Sequence, residues 1–378
     1  MLNVTSEFDL PVDRVWLNAS HQGPLPRRAA EAVAQMVRWK QQPHHLNRSE
    51  PFTDVPERLR ALLADLVSVP ESEITLANSS SYGLHLVANG LELGEGDEVV
   101  VAANDFPSDI LPWLRLQRYG VKVIQIRPAD QVPSAVEIRA AITPRTRVVC
   151  LPWVHSFSGH VIDLDAIGDV CRNAGALFVV NGSQGVGAIP ISPKDLPVDV
   201  LTSVGFKWLC GPYGSGFCWL GPRASQRLQP TKLYWLNAFS ADDLALPELD
   251  LDNITPAITG RHDVFGTANF FNFAALAEAV ELVTTTGVDQ IHSHNLALAS
   301  RLVEGVDPSR YEVQDRGNPN RPSSIVFLCP IDGTLDDVAQ HLERSGVDVA
   351  RRRGMIRLAI HFYNTEADIG RTLDVLNG

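Results

Sequence analysis

The chain has 378 residues, 45% of them hydrophobic and 20% charged, with a formal net charge of −12. That size and composition suit a large buried core in two interleaved domains, and the acidic balance excludes a nucleic-acid surface, which needs clustered Lys and Arg. The opening residues 1–13 lack a basic start followed by an apolar core, and no run is long and apolar enough to span a bilayer, so the expected location is cytoplasmic.

The cysteines Cys150, Cys171, Cys210, Cys218 and Cys329 show no CxxC spacing, which suits a reducing compartment and argues against zinc or disulfide frameworks. The pair His44-His45 has no acidic or cysteine ligand at metal spacing, so no metal is expected.

From about Glu57 helical periodicity alternates with short apolar runs, the mark of an α/β protein with a mainly parallel sheet covered by helices. Strands are predicted at 74–77, 98–102, 121–126, 147–151, 176–180 and 198–202. Helical spacing falls at 82–91, 108–118, 134–142 and 164–173, the last two entered through Ser or Asp caps. Residues 214–220 read as an antiparallel strand closing the sheet, and 222–256 as a Pro-, Asp- and Leu-rich excursion without period. Helices at about 272–283 and 289–303, then strands near 324–328 and 356–360, predict a smaller α/β domain. The expected partition is 14–265 for the large domain, with 1–13 and 266–378 for the small one.

Ligands of a parallel sheet sit beyond the carboxyl ends of its strands, so chemistry is sought there. After the first strand comes Asn78-Ser79-Ser80-Ser81-Tyr82-Gly83, which can present backbone N–H groups and hydroxyls to a phosphate, or serve as a plain serine cap. After the second stands Phe106-Pro107-Ser108-Asp109, whose aromatic ring can stack on a flat cofactor or belong to the core. After the fourth stands Trp153-Val154-His155, and after the fifth Asn181-Gly182-Ser183-Gln184-Gly185. After the sixth comes Gly205-Phe206-Lys207-Trp208, running into a Gly/Pro-rich turn. A lysine at such a strand end is poorly explained as a surface charge; a Schiff-base lysine needs a pocket that keeps it near neutral.

The order and spacing of these segments resemble the class V aminotransferase branch of pyridoxal 5′-phosphate (PLP) enzymes, which includes cysteine desulfurases, isopenicillin N epimerase-like proteins and cysteine-conjugate lyases. The resemblance runs from Trp16-Leu17-Asn18-Ala19-Ser20-His21-Gln22-Gly23-Pro24 to Arg353-Gly354-Met355-Ile356-Arg357 and His361-Phe362-Tyr363-Asn364-Thr365. It implies the aspartate-aminotransferase fold (fold type I), with Lys207 carrying PLP and moving the proton at the substrate's α-carbon. By the same resemblance Ser80 and Ser81 would hold the phosphate, with Ser203 a helper, and Phe106 would stack on the ring. Gln184 and His155 would lie near its 3′-oxygen. Arg357 would grip the substrate carboxylate, and Asn18 and His21 would belong to the substrate loop. Gly266-Thr267 would reach the phosphate of the other subunit, so a homodimer is implied.

Three departures matter. The family places Asp where Asn181 stands, and a neutral amide cannot keep the ring nitrogen protonated; a retuned ring, a substitution that arrests the chemistry and a silent PLP-binding protein are the competing readings. Phe206 stands where desulfurases carry His, and no cysteine lies between Val349 and Arg357, where desulfurases need a mobile thiol. The expected activity is therefore β-elimination from an S-substituted cysteine. Alternatives are decarboxylating oxidative deamination of such a conjugate, as in lincosamide-type biosynthesis, and epimerisation.

Overall fold

The computed structural model describes residues 2, 4–46, 51–230, 234–239, 241–254, 262–266, 269–314 and 323–378. The strands in chain order are β1 Val15–Trp16, β2 Ile74–Ala77, β3 Glu98–Ala102, β4 Lys122–Ile126, β5 Thr146–Pro152, β6 Leu177–Asn181, β7 Val200–Val204 and β8 Gly216–Leu220, followed by β9 Tyr311–Val313, β10 Ile325–Pro330, β11 Val347–Asp348, β12 Ala350–Arg352 and β13 Met355–Ala359. Seven of them form one sheet in the order β2-β8-β7-β6-β5-β3-β4. Pairing is parallel except around β8, which runs antiparallel to both β2 and β7.

The central strands are buried along their whole length and mostly apolar because helices cover both faces, whereas the edge strand β4 is partly exposed. Helices Ser80–Gly90, Pro107–Leu114, Ala135–Ala141 and Leu164–Asn173 make the crossovers. Ser134 closes a capping box with Glu137, and the Asp163 carboxylate accepts the Ala166 amide, as the caps predict. The helix expected over 108–118 stops at Leu114 and tightens into a 3₁₀ segment, Arg115–Tyr119. The 222–256 excursion is less irregular than expected, since Pro222–Arg227 is helical and its Arg223 pairs with Asp199 at 2.9 Å.

A second sheet, β12-β13-β10-β9, is antiparallel and carries its own core, including Leu302, Val326, Leu328, Ile356 and Leu358. Val15 and Leu17 join that core, because β1 pairs with β11. Phe273, Leu276, Ala277 and Val280 of helix Phe270–Thr286 pack in the core of the large sheet, and the second core starts at Leu298 of the next helix, Val288–Gly305. Among the described residues no helix is long and apolar enough to cross a membrane.

The free edge of β2 is covered by residues 263 and 264. Val264 N–H donates to the Leu76 carbonyl at 2.9 Å, and the Asp263 carboxylate accepts the Leu76 amide at 2.8 Å. The same carboxylate takes a two-pronged bond from Arg60 at 3.2 and 2.6 Å, with both side chains less than a tenth exposed. Asp263→Ala leaves the Arg60 charge buried without its partner and is expected to cost about 3–5 kcal/mol of stability. Chemical denaturation followed by circular dichroism reads that loss directly; a change under about 1 kcal/mol would show that the pair is dispensable.

Candidate active site

The carboxyl ends of β2, β3, β5, β6 and β7 open on one cavity of about 410 Å³, walled also by residues from the N-terminal loop and from the second sheet. Of the residues singled out in the sequence, Ser80, Ser81, Phe106, Asn181, Gln184, Lys207, Arg357 and His21 all line it.

Ser79 caps helix Ser80–Gly90, its hydroxyl accepting the Tyr82 amide at 3.3 Å. Ser79, Ser80 and Ser81 all line the cavity at the start of this helix, where the helix dipole favours a negative group. Phe106, the residue before helix Pro107–Leu114, is 43% exposed and set beside the half-buried Lys207. The Lys207 amine lies 5.6 Å from its centroid.

Lys207 follows β7 in a loop fixed by backbone bonds, with Gly205 N–H donating to Ser215 and Gly211 N–H to Gly205. Gly23 N–H donates to the Phe206 carbonyl at 2.8 Å, and any side chain at Gly23 would meet the Lys207 carbonyl at 2.3 Å. Glycine therefore lets the N-terminal loop seat on the lysine loop. Burial, reinforced by the Arg357 charge and opposed by Asp109, lowers the Lys207 pKa to about 8. Arg357 projects from β13, which the antiparallel partner β10 holds with Phe327 opposite it. One of its nitrogens donates to the Ser156 carbonyl at 3.1 Å, while its Nε is buried with no partner. Burial, then the neighbouring Arg352, lowers its pKa to about 9.

Other expected residues are placed differently. His155 does not line the cavity: its Nδ1 meets the Ser158 hydroxyl at 2.7 Å and its Nε2 stands 3.9 Å from Asp105. Burial, then Arg353, lowers its pKa to about 4, so the imidazole is neutral. Asn18 lies beneath the rim, where its carbonyl accepts the His21 and Gln22 amides and the residue bridges to Ala359. Ser203 is buried in β7 with its hydroxyl toward the Val204 carbonyl at 3.3 Å, away from the cavity, because alternation along the strand turns it to the opposite side from the lining residue Val204. Gln184 lines the cavity, yet both ends of its amide are engaged, with the Ser20 carbonyl at 3.0 Å and Trp208 Nε1 at 2.9 Å. Thr267 lies outside the described residues.

Three contributors escaped the sequence reading. Asp109 sits wholly buried against Asn181, whose Nδ2 donates to it at 2.6 Å. Burial raises the Asp109 pKa to about 7 against the opposing pull of the Asn181 bond and Lys207. Ser183 donates to Asn181 Oδ1 through its amide at 3.1 Å and its hydroxyl at 2.6 Å. Arg352 brings a second guanidinium to the wall beside Arg357. The site can thus hold an anion at a helix end, place a flat ring on Phe106, bind a carboxylate on arginine and move a proton with a lysine amine.

The aminotransferase class-V family matches residues 24–372. A probable cysteine desulfurase of Methanothermobacter thermautotrophicus is 26% identical over 98% of this chain and 97% of its own length. The isopenicillin N epimerase of Streptomyces clavuligerus is 27% identical over 96% and 94%. Among solved structures, the cystine C-S lyase C-DES in complex with its reaction product cysteine persulfide has a TM-score of 0.85 at 21% identity, covering 97% of each chain. A C-DES variant with glycine covalently linked to its PLP cofactor reaches 0.86 at 21% identity, covering 97% and 96%.

Proposed function

Since the chain belongs to the class-V aminotransferase family, whose resemblance implies a PLP enzyme, we propose that it is a C–S lyase that splits an S-substituted cysteine conjugate. The observation that carries this reading is the chemistry of the cavity wall: a lysine amine of lowered pKa faces a buried arginine, and no cysteine stands among the lining residues. Cys329 lies half-buried on β10, and its thiol turns toward the Pro330 carbonyl. A desulfurase needs a thiol that reaches the substrate's sulfur, whereas a lyase needs none.

The residues present fit PLP. Ser80 and Ser81 would hold its phosphate, Phe106 its ring face and Lys207 its aldehyde carbon, and the unpartnered buried atoms Asp109 Oδ2 and Arg357 Nε await partners. When bound, PLP withdraws electrons from the substrate's α-carbon. Arg357 takes the carboxylate and so orients the Cα–H bond. The Lys207 amine removes that proton; the C–H electron pair becomes the Cα–Cβ double bond, and the sulfur leaves with the C–S pair as thiolate. Hydrolysis of the released 2-aminoacrylate gives pyruvate and ammonia.

The protein is further proposed to act as a homodimer in which Gly266-Thr267 reaches the partner's phosphate. Exposed apolar side chains gather in the segment that leads there, with Trp235, Leu244, Leu246, Leu251 and Phe265 each at least half exposed. Such a patch is what an interface covers.

The test is mass spectrometry of the products after incubating PLP-loaded protein in air with bulky S-substituted cysteines. Pyruvate with free thiol is expected. Carbon dioxide with a sulfur-linked aldehyde would replace the proposal with oxidative decarboxylation, and unchanged mass with inverted α-carbon would replace it with epimerisation.

A further inference from the structure

Asn181 ends β6 at the position where a carboxylate is expected, and its amide is locked. The Ser183 backbone N–H can only donate, so the atom 3.1 Å away is the amide oxygen, and that oxygen also accepts the Ser183 hydroxyl at 2.6 Å. Both lone pairs of Oδ1 are occupied, and Nδ2 is left to face Asp109 Oδ1 at 2.6 Å. Asp109 comes from a different element, the first turn of helix Pro107–Leu114, with its amide donating to the Phe106 carbonyl at 2.9 Å. Its second oxygen, Oδ2, is buried without a hydrogen-bond partner, and Asp109 lines the same cavity as Lys207 and Asn181. A wholly buried carboxylate oxygen with no donor is costly to keep. A docked group that brings a proton removes that cost.

We propose that Asp109 is the carboxylate that holds a proton on the PLP ring nitrogen, and that Asn181 is its positioning residue. The negative charge has moved from the end of β6 to the adjoining helix, one hydrogen bond away from where relatives with aspartate at the Asn181 position would carry it. Asn181 fixes Oδ1 of the carboxylate and so leaves Oδ2 free for the ring. Phe106, which would face the ring, and Asp109 belong to one turn of chain, so stacking and charge are set together. Burial holds the Asp109 proton more tightly than usual; a ring cation beside it returns the carboxylate to its ionised form.

The inference rests on the PLP reading, and the test separates the two. Binding of PLP to the apoprotein is measured by cofactor absorbance and near-ultraviolet circular dichroism for wild type, Asp109→Asn and the double variant Asp109→Asn with Asn181→Asp. Asp109→Asn is isosteric but cannot ionise, and it is expected to weaken PLP binding by about 10- to 100-fold, the worth of a charge-assisted bond. The double variant restores one carboxylate to the pair, now at the end of β6, and is expected to bind within about threefold of wild type. If Asp109→Asn binds as tightly as wild type, or the double variant stays as weak as Asp109→Asn while both melt cooperatively, the assignment is overturned. Wild-type protein that takes up no PLP would instead sink the cofactor reading itself.

Discussion

Replacing Lys207 by alanine is expected to leave a folded protein whose turnover has fallen by about 10²- to 10⁴-fold, the usual worth of a positioned proton-transfer group. The visible absorbance of lysine-bound cofactor should vanish with it. The loop does not depend on the side chain for its shape: the Lys207 carbonyl accepts the Cys210 amide at 3.1 Å, and Gly205 and Gly211 are pinned through backbone bonds. Far-ultraviolet circular dichroism should therefore overlay that of wild type. In wild type the neutral amine is the reactive form, and burial brings its pKa to about 8. Uptake of PLP by apoprotein should accelerate as pH rises through that value and then level off, since deprotonation exposes the nucleophile. Retained cofactor absorbance in the alanine variant would remove Lys207 from the mechanism.

The second large effect is expected at Arg357. Arg357→Ala should lower kcat/KM for amino-acid substrates by about 10²- to 10³-fold, because a buried fork that binds a carboxylate is lost. Arg357→Lys should recover little, since an ammonium cannot make the paired bonds. Stability should move the other way. Among the described residues the buried guanidinium has the Ser156 carbonyl as its partner and Arg352 nearby, so without a bound carboxylate it bears an uncompensated charge that alanine removes. An Arg357→Ala variant that melts at or above the wild-type temperature while losing activity would mark the residue as functional. One that loses both would mark it as structural.

The sheet was legible almost strand by strand. Strands of this sheet are short, mostly apolar runs, so β2 and β3 fall where the sequence puts them and β4 to β8 within about two residues. Lys207, Phe106 and Ser80 stood out because strand ends in such a sheet point at the ligand, whereas Arg357, in the middle of β13 of the antiparallel sheet, was named only through the family resemblance. Asp109 was not. On its own helix it looks like an ordinary acidic residue of the first turn, and only the pairing of β3 and β5 beside β6 brings it within 2.6 Å of Asn181. His155 misled for the complementary reason: it follows a strand, but the Ser158 hydroxyl and the turn to Gly159 rotate its ring behind the wall. The place of helix Phe270–Thr286 was hidden too, because it is apolar nearly all round and its sequence does not say which sheet it covers.

The pairing of β1 with β11 bears on how the protein is made. Val15 and Trp16 are made long before their strand partners, Val347 and Asp348, and Arg14 closes on Asp348 across 334 positions. During synthesis the large sheet can assemble while residues 15–17 wait undocked, because the second core that receives them does not yet exist. Until then the nascent chain carries Lys207 on a formed sheet with an unfinished pocket. Closure of that strand therefore ties completion of the pocket wall to residues made long after Lys207.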